Sequence, residues 1–334
     1  MKDLIKTLVE TFGVAGHEAP ITEAIREEIS DEVDEIKIDT LGNLIAIKEG
    51  IEDAPTIMFS AHMDEIGLVV THIDDDGFVR FARVGGVNPH RLLDQRVVFE
   101  NGRVGCIGME KLDGINELKM EKMFIDIGCS SEEEAREHVS IGDVASFYRP
   151  MNDLGDRLVS KAMDDRIGCA ILVQTLKQLT ECPNRIVAVF SVQEELGLRG
   201  ARTAAFQVEP DMGVALDVTG AGDTPKARRL DISLGDGAAI KVMDRSLMTH
   251  PAVKRLMVDL AEDNNIPYQM EVLEFGGTDA GAIHLSKTGV PSGCISIPTR
   301  YLHGPSEMVD YNDVQACVDL AVAIAESGEI DLAR

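Results

Sequence analysis

Thr56-Ile57-Met58-Phe59-Ser60-Ala61 is a short, largely apolar run that leads directly into His62-Met63-Asp64. A run this short and apolar reads as a strand buried on both faces, as in a parallel sheet. In open α/β sheets, ligands bind outside the carboxyl ends of the strands. An imidazole and a carboxylate at such an end are therefore the first sign of chemistry. The pattern recurs along the chain. Arg185 to Val192 reads as a buried strand followed by Gln193-Glu194-Glu195, and Gly213 to Leu216 as another followed by Asp217. Cys294 to Ile297 reads as a further strand, with His303 in the loop beyond. A pair of acids, Asp164-Asp165, stands where a helical pattern over 165–179 begins.

Working outward, Leu4, Ile5, Leu8 and Val9, and then Ile21, Ile25 and Ile29, repeat at helical spacing. Alternation over 35–39 and 44–48 about Leu41-Gly42-Asn43 reads as a hairpin. From 160 onward strands alternate with helices over 251–264, 279–286 and 310–327. The fold class expected is α/β, a mixed sheet covered by helices on both faces. Between about 67 and 158 the texture differs. Short strands over 69–73, 78–84, 96–100 and 103–109 are separated by Asp75-Asp76-Gly77 and Asn101-Gly102 turns. A short helix follows, for which Ser130 and Glu133 have capping-box spacing. The expected organisation is a catalytic domain built from 1–66 and 159–334, with a β-rich domain over 67–158 inserted in it.

The 334 residues include 32 Lys+Arg against 58 Asp+Glu, a net charge of −26. So acidic a chain argues against nucleic-acid binding and against docking on anionic membranes. No apolar run approaches the roughly 20 residues needed to span a bilayer. Met1-Lys2-Asp3-Leu4-Ile5-Lys6 has no signal-peptide core, and the 6 cysteines form no C-x-x-C pair. A cytoplasmic protein with free thiols is expected.

Each polar motif has a bland reading by itself. Glu194-Glu195 could be a solvated turn, Asp164-Asp165 a helix cap with a first-turn acid, and each histidine a packed or surface side chain. Their shared place at strand ends favours a site, because acids around one crevice repel unless a cation neutralises them. Imidazole and carboxylate donors without a thiolate signature suit Zn2+, Co2+ or Mn2+. Two histidines with three or four carboxylates exceed one tetrahedral zinc and suit two ions about 3.5–4 Å apart.

Six segments carry a resemblance: Ser60 to Gly67, Ala162 to Arg166, Val192 to Ala201, Leu216 to Thr219, Gly276 to Ala280 and Arg300 to His303. In this order they closely resemble the M42 family of di-metal aminopeptidases, which includes glutamyl and deblocking aminopeptidases and the archaeal tetrahedral peptidases. The resemblance covers essentially the whole chain. It implies that His62, Asp164 and Asp217 hold one ion and Asp164, Glu195 and His303 the other, with Asp164 bridging. It makes Glu194 the general base and Asp64 a hydrogen-bond partner of His62. It implies a cis Asp164–Asp165 bond. The cofactors would be two divalent ions per subunit, Zn2+ or Co2+ with Mn2+ as a third option. The substrates would be peptides shortened from the N-terminus. The family includes acidic, basic and neutral specificities and so does not select the preferred residue; for this chain neutral aliphatic residues are expected first and acidic ones second. The insert would be a dimerisation domain, and the dimers would build a hollow homo-dodecamer.

Two rivals stay open: another hydrolase on the same site, a deacylase or an endoglucanase as some M42 relatives are described, and a non-catalytic assembly protein. A glycosidase needs carboxylates on opposite sides of a sugar bond, about 5–9.5 Å apart, which an adjacent pair fits poorly. An intact Glu194 counts against an inert assembly protein. His72, His90, His138 and His250 read as scaffold. Gly276-Gly277-Thr278-Asp279 reads equally as backbone beside the substrate or as a helix start capped by Thr278.

Overall fold

Helix α1 (Lys2–Glu10) buries Leu4, Ile5, Leu8 and Val9, and α2 (Ala19–Ile29), with Pro20 in its first turn, buries Ile21, Ile25 and Ile29. These stripes cover one face of a sheet. The computed structural model describes every residue except 181, 228–229, 329–331 and 333–334, so the expected end of the catalytic domain at 334 lies outside the described residues.

Strands β1 (Glu35–Ile38) and β2 (Leu44–Lys48) form the expected hairpin, and β3 (Thr56–His62) follows. The next six strands are β4 (Gly67–Ile73), β5 (Val79–Val84), β6 (Arg96–Phe99), β7 (Val104–Met109), β8 (Met123–Asp126) and β9 (Val144–Phe147). They close into a barrel in the order β4-β5-β8-β7-β6-β9 around Leu68, Val70, Val97, Ile107 and Ile125. Helix α3 (Glu132–Arg136) lies between β8 and β9. Its cap is one residue later than the sequence suggested: Ser131 accepts from the Glu134 amide at 3.3 Å, and the Glu134 carboxylate accepts from the Ser130 amide at 2.8 Å.

The chain rejoins the main sheet earlier than 158. Strands β10 (Asn152–Asp153) and β11 (Arg157–Ser160) pair with each other, and β11 pairs with β17 (Glu307–Asp310). Buried Leu158 and Ser160 hold β11 there, a pairing across about 150 residues that no local pattern announces. The rest comprises α4 (Met163–Gln178), β12 (Arg185–Ser191), α5 (Arg199–Val208), β13 (Met212–Gly220), β14 (Ala238–Met243), α6 (Pro251–Asp263), β15 (Tyr268–Val272), α7 (Ala280–Ile283), β16 (Ser292–Arg300) and α8 (Tyr311–Ala325). The His250 side chain accepts from the Ala252 amide and caps α6.

Among the described residues the main sheet has 11 strands, ordered β1-β2-β12-β3-β13-β16-β17-β11-β10, with β14 and β15 attached at β16. Its centre, β12-β3-β13-β16, is parallel. The sheet is buried on both sides. Ile57 and Phe59 pack with α1, α2, α4 and α8, whereas Met58, Val187 and Val189 pack against Ala201, Ala204 and Ala205 of α5 and Ile283 of α7. This two-sided burial explains the continuous apolar runs. No helix among the described residues is long and apolar enough to cross a membrane.

Candidate metal centre and active site

The ladder between β3 and β13 ends at Ser60–Ala215, two residues short of His62 and Asp217. Beyond that point the strands no longer pair, and the crevice between them opens at the carboxyl ends, as the strand-end pattern implied. His62 is the last residue of β3. Asp217 lies inside β13, which runs to Gly220, rather than after the strand as its short apolar core suggested. Glu194 and Glu195 lie beyond the strand, as expected. They form a one-turn 3-10 helix, Glu194–Leu196, after Gln193 in the left-handed region, and this tight turn separates their side chains.

The seven predicted residues come together. His62 Nε2 lies 3.1 Å from Asp164 Oδ1 and 4.0 Å from Glu194 Oε2. His303 Nε2 lies 3.2 Å from Asp164 Oδ2 and 3.4 Å from Glu195 Oε1. The two oxygens of Asp164 thus face two different histidines. Two donor sets result, His62-Asp164-Asp217 and Asp164-Glu195-His303, each with its ligand atoms within 4.8 Å of one another. Two imidazoles and three carboxylates, with one carboxylate shared, are the right kind and number of donors for two divalent ions. The Asp164–Asp165 bond is cis.

Asp64 differs in detail from its expected part. His62 Nδ1 meets the Asp64 main-chain carbonyl at 3.1 Å; the carboxylate is 3.5 Å away. A carbonyl can only accept, so Nδ1 carries a proton toward it, and Nε2 is the nitrogen placed to serve as a ligand. The Asp64 carboxylate instead accepts from the amides of Glu194 at 2.9 Å and Glu195 at 3.1 Å, fixing the turn that aims both glutamates. Asp165 is buried behind the site, where it accepts from the His62 amide at 3.2 Å and the Gly168 amide at 3.1 Å.

The sequence reading missed Glu307. Its carboxylate, 1% exposed, accepts from the Asp164 amide at 3.0 Å and the His303 amide at 2.7 Å, tying the shared carboxylate to the histidine loop. The available signal was an acid beginning a strand with Met308 and Val309. The sequence leaves Asp279 open between a place beside the substrate and a helix start. It accepts from Ser60 Oγ at 2.6 Å and Ser191 Oγ at 2.5 Å and so joins β3 to β12 beneath the site. Thr278 does not cap the following helix; its hydroxyl has no hydrogen-bond partner among the described residues, and α7 is only four residues long.

The electrostatics follow from crowding. Burial and the charge of Asp164 push the Glu195 carboxyl up to about 7, and burial with the same charge raises Glu307 to about 8. Burial, Asp217 and Glu195 raise Glu194 well above the usual range, despite His62. Burial would raise Asp164 too, but hydrogen bonds from His303 and His62 outweigh it and hold that carboxyl low. Burial opposes charge on His303, yet Asp164 and Glu195 raise it to about 10. So many acids in one crevice hold positive charge tightly, as a cation site must.

The site opens into a cavity of about 530 Å³ walled by Leu198, Val218, Leu273, Phe275 and Leu302, with buried Lys241 also lining it. Lys241 is bound to Glu271 at 2.6 Å and has Asp244 at 3.8 Å.

Residues 42–320 match the family of M42 glutamyl aminopeptidases. The chain belongs to the M42 peptidase family. A putative aminopeptidase of Acetivibrio thermocellus is 52% identical over 96% of this chain and 97% of its own length. The structure of an aminopeptidase from the archaeon Desulfurococcus kamchatkensis superposes with a TM-score of 0.95 at 40% identity, covering 99% of this chain and 95% of that one. A Pyrococcus horikoshii TET1 peptidase, described as assembling into a tetrahedron or a large octahedral shell, has a TM-score of 0.88 at 35% identity, covering 97% and 98%. This M42 chain is therefore a peptide hydrolase of the aminopeptidase class.

Proposed function

We propose that this M42 chain removes single N-terminal residues from peptides by a two-metal mechanism with Glu194 as general base. The observation that carries the reading is Asp164, whose two oxygens face His62 and His303. His62, Asp164 and Asp217 would hold one ion; Asp164, Glu195 and His303 the other. Zn2+ or Co2+, with Mn2+ third, suits these donors. When bound, such ions supply Lewis-acid polarisation of the scissile carbonyl and acidify the attacking water.

The chain's own residues do the rest. Glu194 Oε2 is 4.0 Å from the His62 ligand nitrogen, and the Asp64 carboxylate fixes its backbone. From there its carboxylate takes the proton of the attacking water and returns it to the leaving amine. The acidic cluster attracts the substrate's free ammonium, which restricts cleavage to the first residue. The apolar wall receives that residue's side chain. A free lysine at the wall would favour acidic side chains, but Glu271 and Asp244 offset Lys241. Neutral aliphatic residues are therefore expected first and acidic ones second. A panel of aminoacyl chromogenic substrates on metal-reconstituted enzyme, with acyl and glycosyl substrates alongside, tests this. Turnover confined to acyl or glycosyl compounds would overturn the reading, and turnover fastest on acidic residues would overturn the pocket assignment.

The barrel is proposed as the dimerisation domain. It leaves Val104, Met109 and Ile141 exposed, 39%, 44% and 56% respectively, on a unit with a small interior. The similarity to a TET1 peptidase described as assembling into a tetrahedron or a large octahedral shell supports a homo-oligomer. On this reading dimers build a dodecamer that encloses the active sites, and the net charge of −26 favours a place in the cytoplasm away from nucleic acid and anionic membranes. Ordering of the site by metal would favour the closed assembly by mass action. Light scattering is expected to show a dodecamer with metal and smaller species, chiefly dimers, after chelation. A fully active monomer at micromolar concentration excludes it.

A further inference from the structure

The barrel has no residue in either donor set, yet it presses on one of them. Gly85 and Gly86 follow β5. A Cβ on Gly86 would lie 2.1 Å from His303 Nδ1 and 2.5 Å from Cε1, and one on Gly85 would lie 3.1 Å from Glu195 Oε2. The backbone fits against the imidazole because Gly86 lacks a side chain, and Gly85, in the left-handed region at φ 77°, lies close against the carboxylate. Just beyond, the Asn88 side chain accepts from the His90 amide at 3.0 Å and caps the short turn Pro89–Arg91. This turn presents Arg91. Its Nη1 donates to the carbonyl of Tyr301 at 3.0 Å and to that of Leu302. The next residue is His303. Tyr301 and His303 have φ of 65° and 56°, conformations costly for residues with side chains, so the loop needs outside support. Glu307 supports it from within through the His303 amide. Arg91 supports it from the barrel.

We propose that Arg91, with the Gly85-Gly86 backbone beside it, is a positioning residue for the Asp164-Glu195-His303 half of the site. The barrel then helps determine where His303 stands, whether or not it also joins subunits. Among the described residues the hydrogen-bond partners of His62 are Asp64, Asp164, Asp165 and Cys169, none of them in the barrel. The effect therefore falls on one ion and not the other. This rests on the reading of Glu195 and His303 as ligands.

The test is calorimetric titration of Zn2+ into the chelator-stripped full chain, with Co2+ absorption spectra as a second readout. Arg91→Ala is expected to weaken one of two ions about 10–100-fold, the usual cost of losing a group that orients a ligand, and to leave the other unchanged. Arg91→Lys should recover part of the loss, since an ammonium can still donate to these carbonyls. Gly86→Ala should give the same one-ion loss by displacing the ring. At limiting metal kcat should fall and return with excess metal, with KM little changed. Wild-type affinity for both ions in Arg91→Ala and Gly86→Ala, or equal weakening of both ions, would overturn the proposal. His303→Ala separates the two levels. If it loses one ion while the Arg91 and Gly86 variants lose none, only the positioning role fails; if it binds both ions as wild type does, the ligand assignment fails and the proposal with it.

Discussion

Asp164→Ala is expected to bind neither metal ion tightly and to be inactive. One oxygen of Asp164 faces His62 at 3.1 Å and the other faces His303 at 3.2 Å, so its removal takes a ligand from both sets at once. It also removes the negative charge that sustains both histidines, while Glu194, Glu195 and Asp217 stay crowded. Glu195→Ala is the comparison. It takes a ligand from the His303 set alone, and the His62 set should keep its ion. Calorimetry on the two variants distinguishes them, and a single-site loss of equal size in both would end the bridging assignment.

Glu194→Gln should keep both ions and lose at least about 10²-fold in kcat, as expected for loss of a general base. Glu194 is in neither donor set, although it adjoins Glu195, which is in one. The amide is nearly isosteric, and the Glu194 backbone bond to Asp64 does not depend on the side chain. Metal analysis with steady-state kinetics checks this. A variant that lost an ion but turned over normally in excess metal would show that Glu194 is a ligand and not the base.

The candidate site residues are legible from the chain. His62, Glu194, Glu195 and His303 stand at or beyond the ends of apolar runs, and such runs end where a buried strand reaches the sheet edge. Asp217 was found by the same logic although its strand continues past it to Gly220, because a buried polar residue interrupts an apolar run just as an end does. The helices over α1, α2, α6 and α8 were legible because their side-chain period is set within a few residues. The assignment of ligand and base to this set came from the resemblance to M42 peptidases, since spacing alone does not distinguish Glu194 from Glu195.

Other features arise only when distant segments meet. The pairing of β8 with β5, of β9 with β4, and the return of β11 to the main sheet beside β17 depend on partners far along the chain. Glu307 supports Asp164 across 143 residues, Asp279 gathers Ser60 and Ser191 across 219 and 88, and Arg91 reaches the His303 loop across 210. The sequence by itself determined which residues could carry the chemistry, because donor type and strand ends are local properties. Only the tertiary structure decided what holds those residues at ligand distance, because a hydrogen bond to a main-chain group far along the chain leaves no periodicity and no motif behind it.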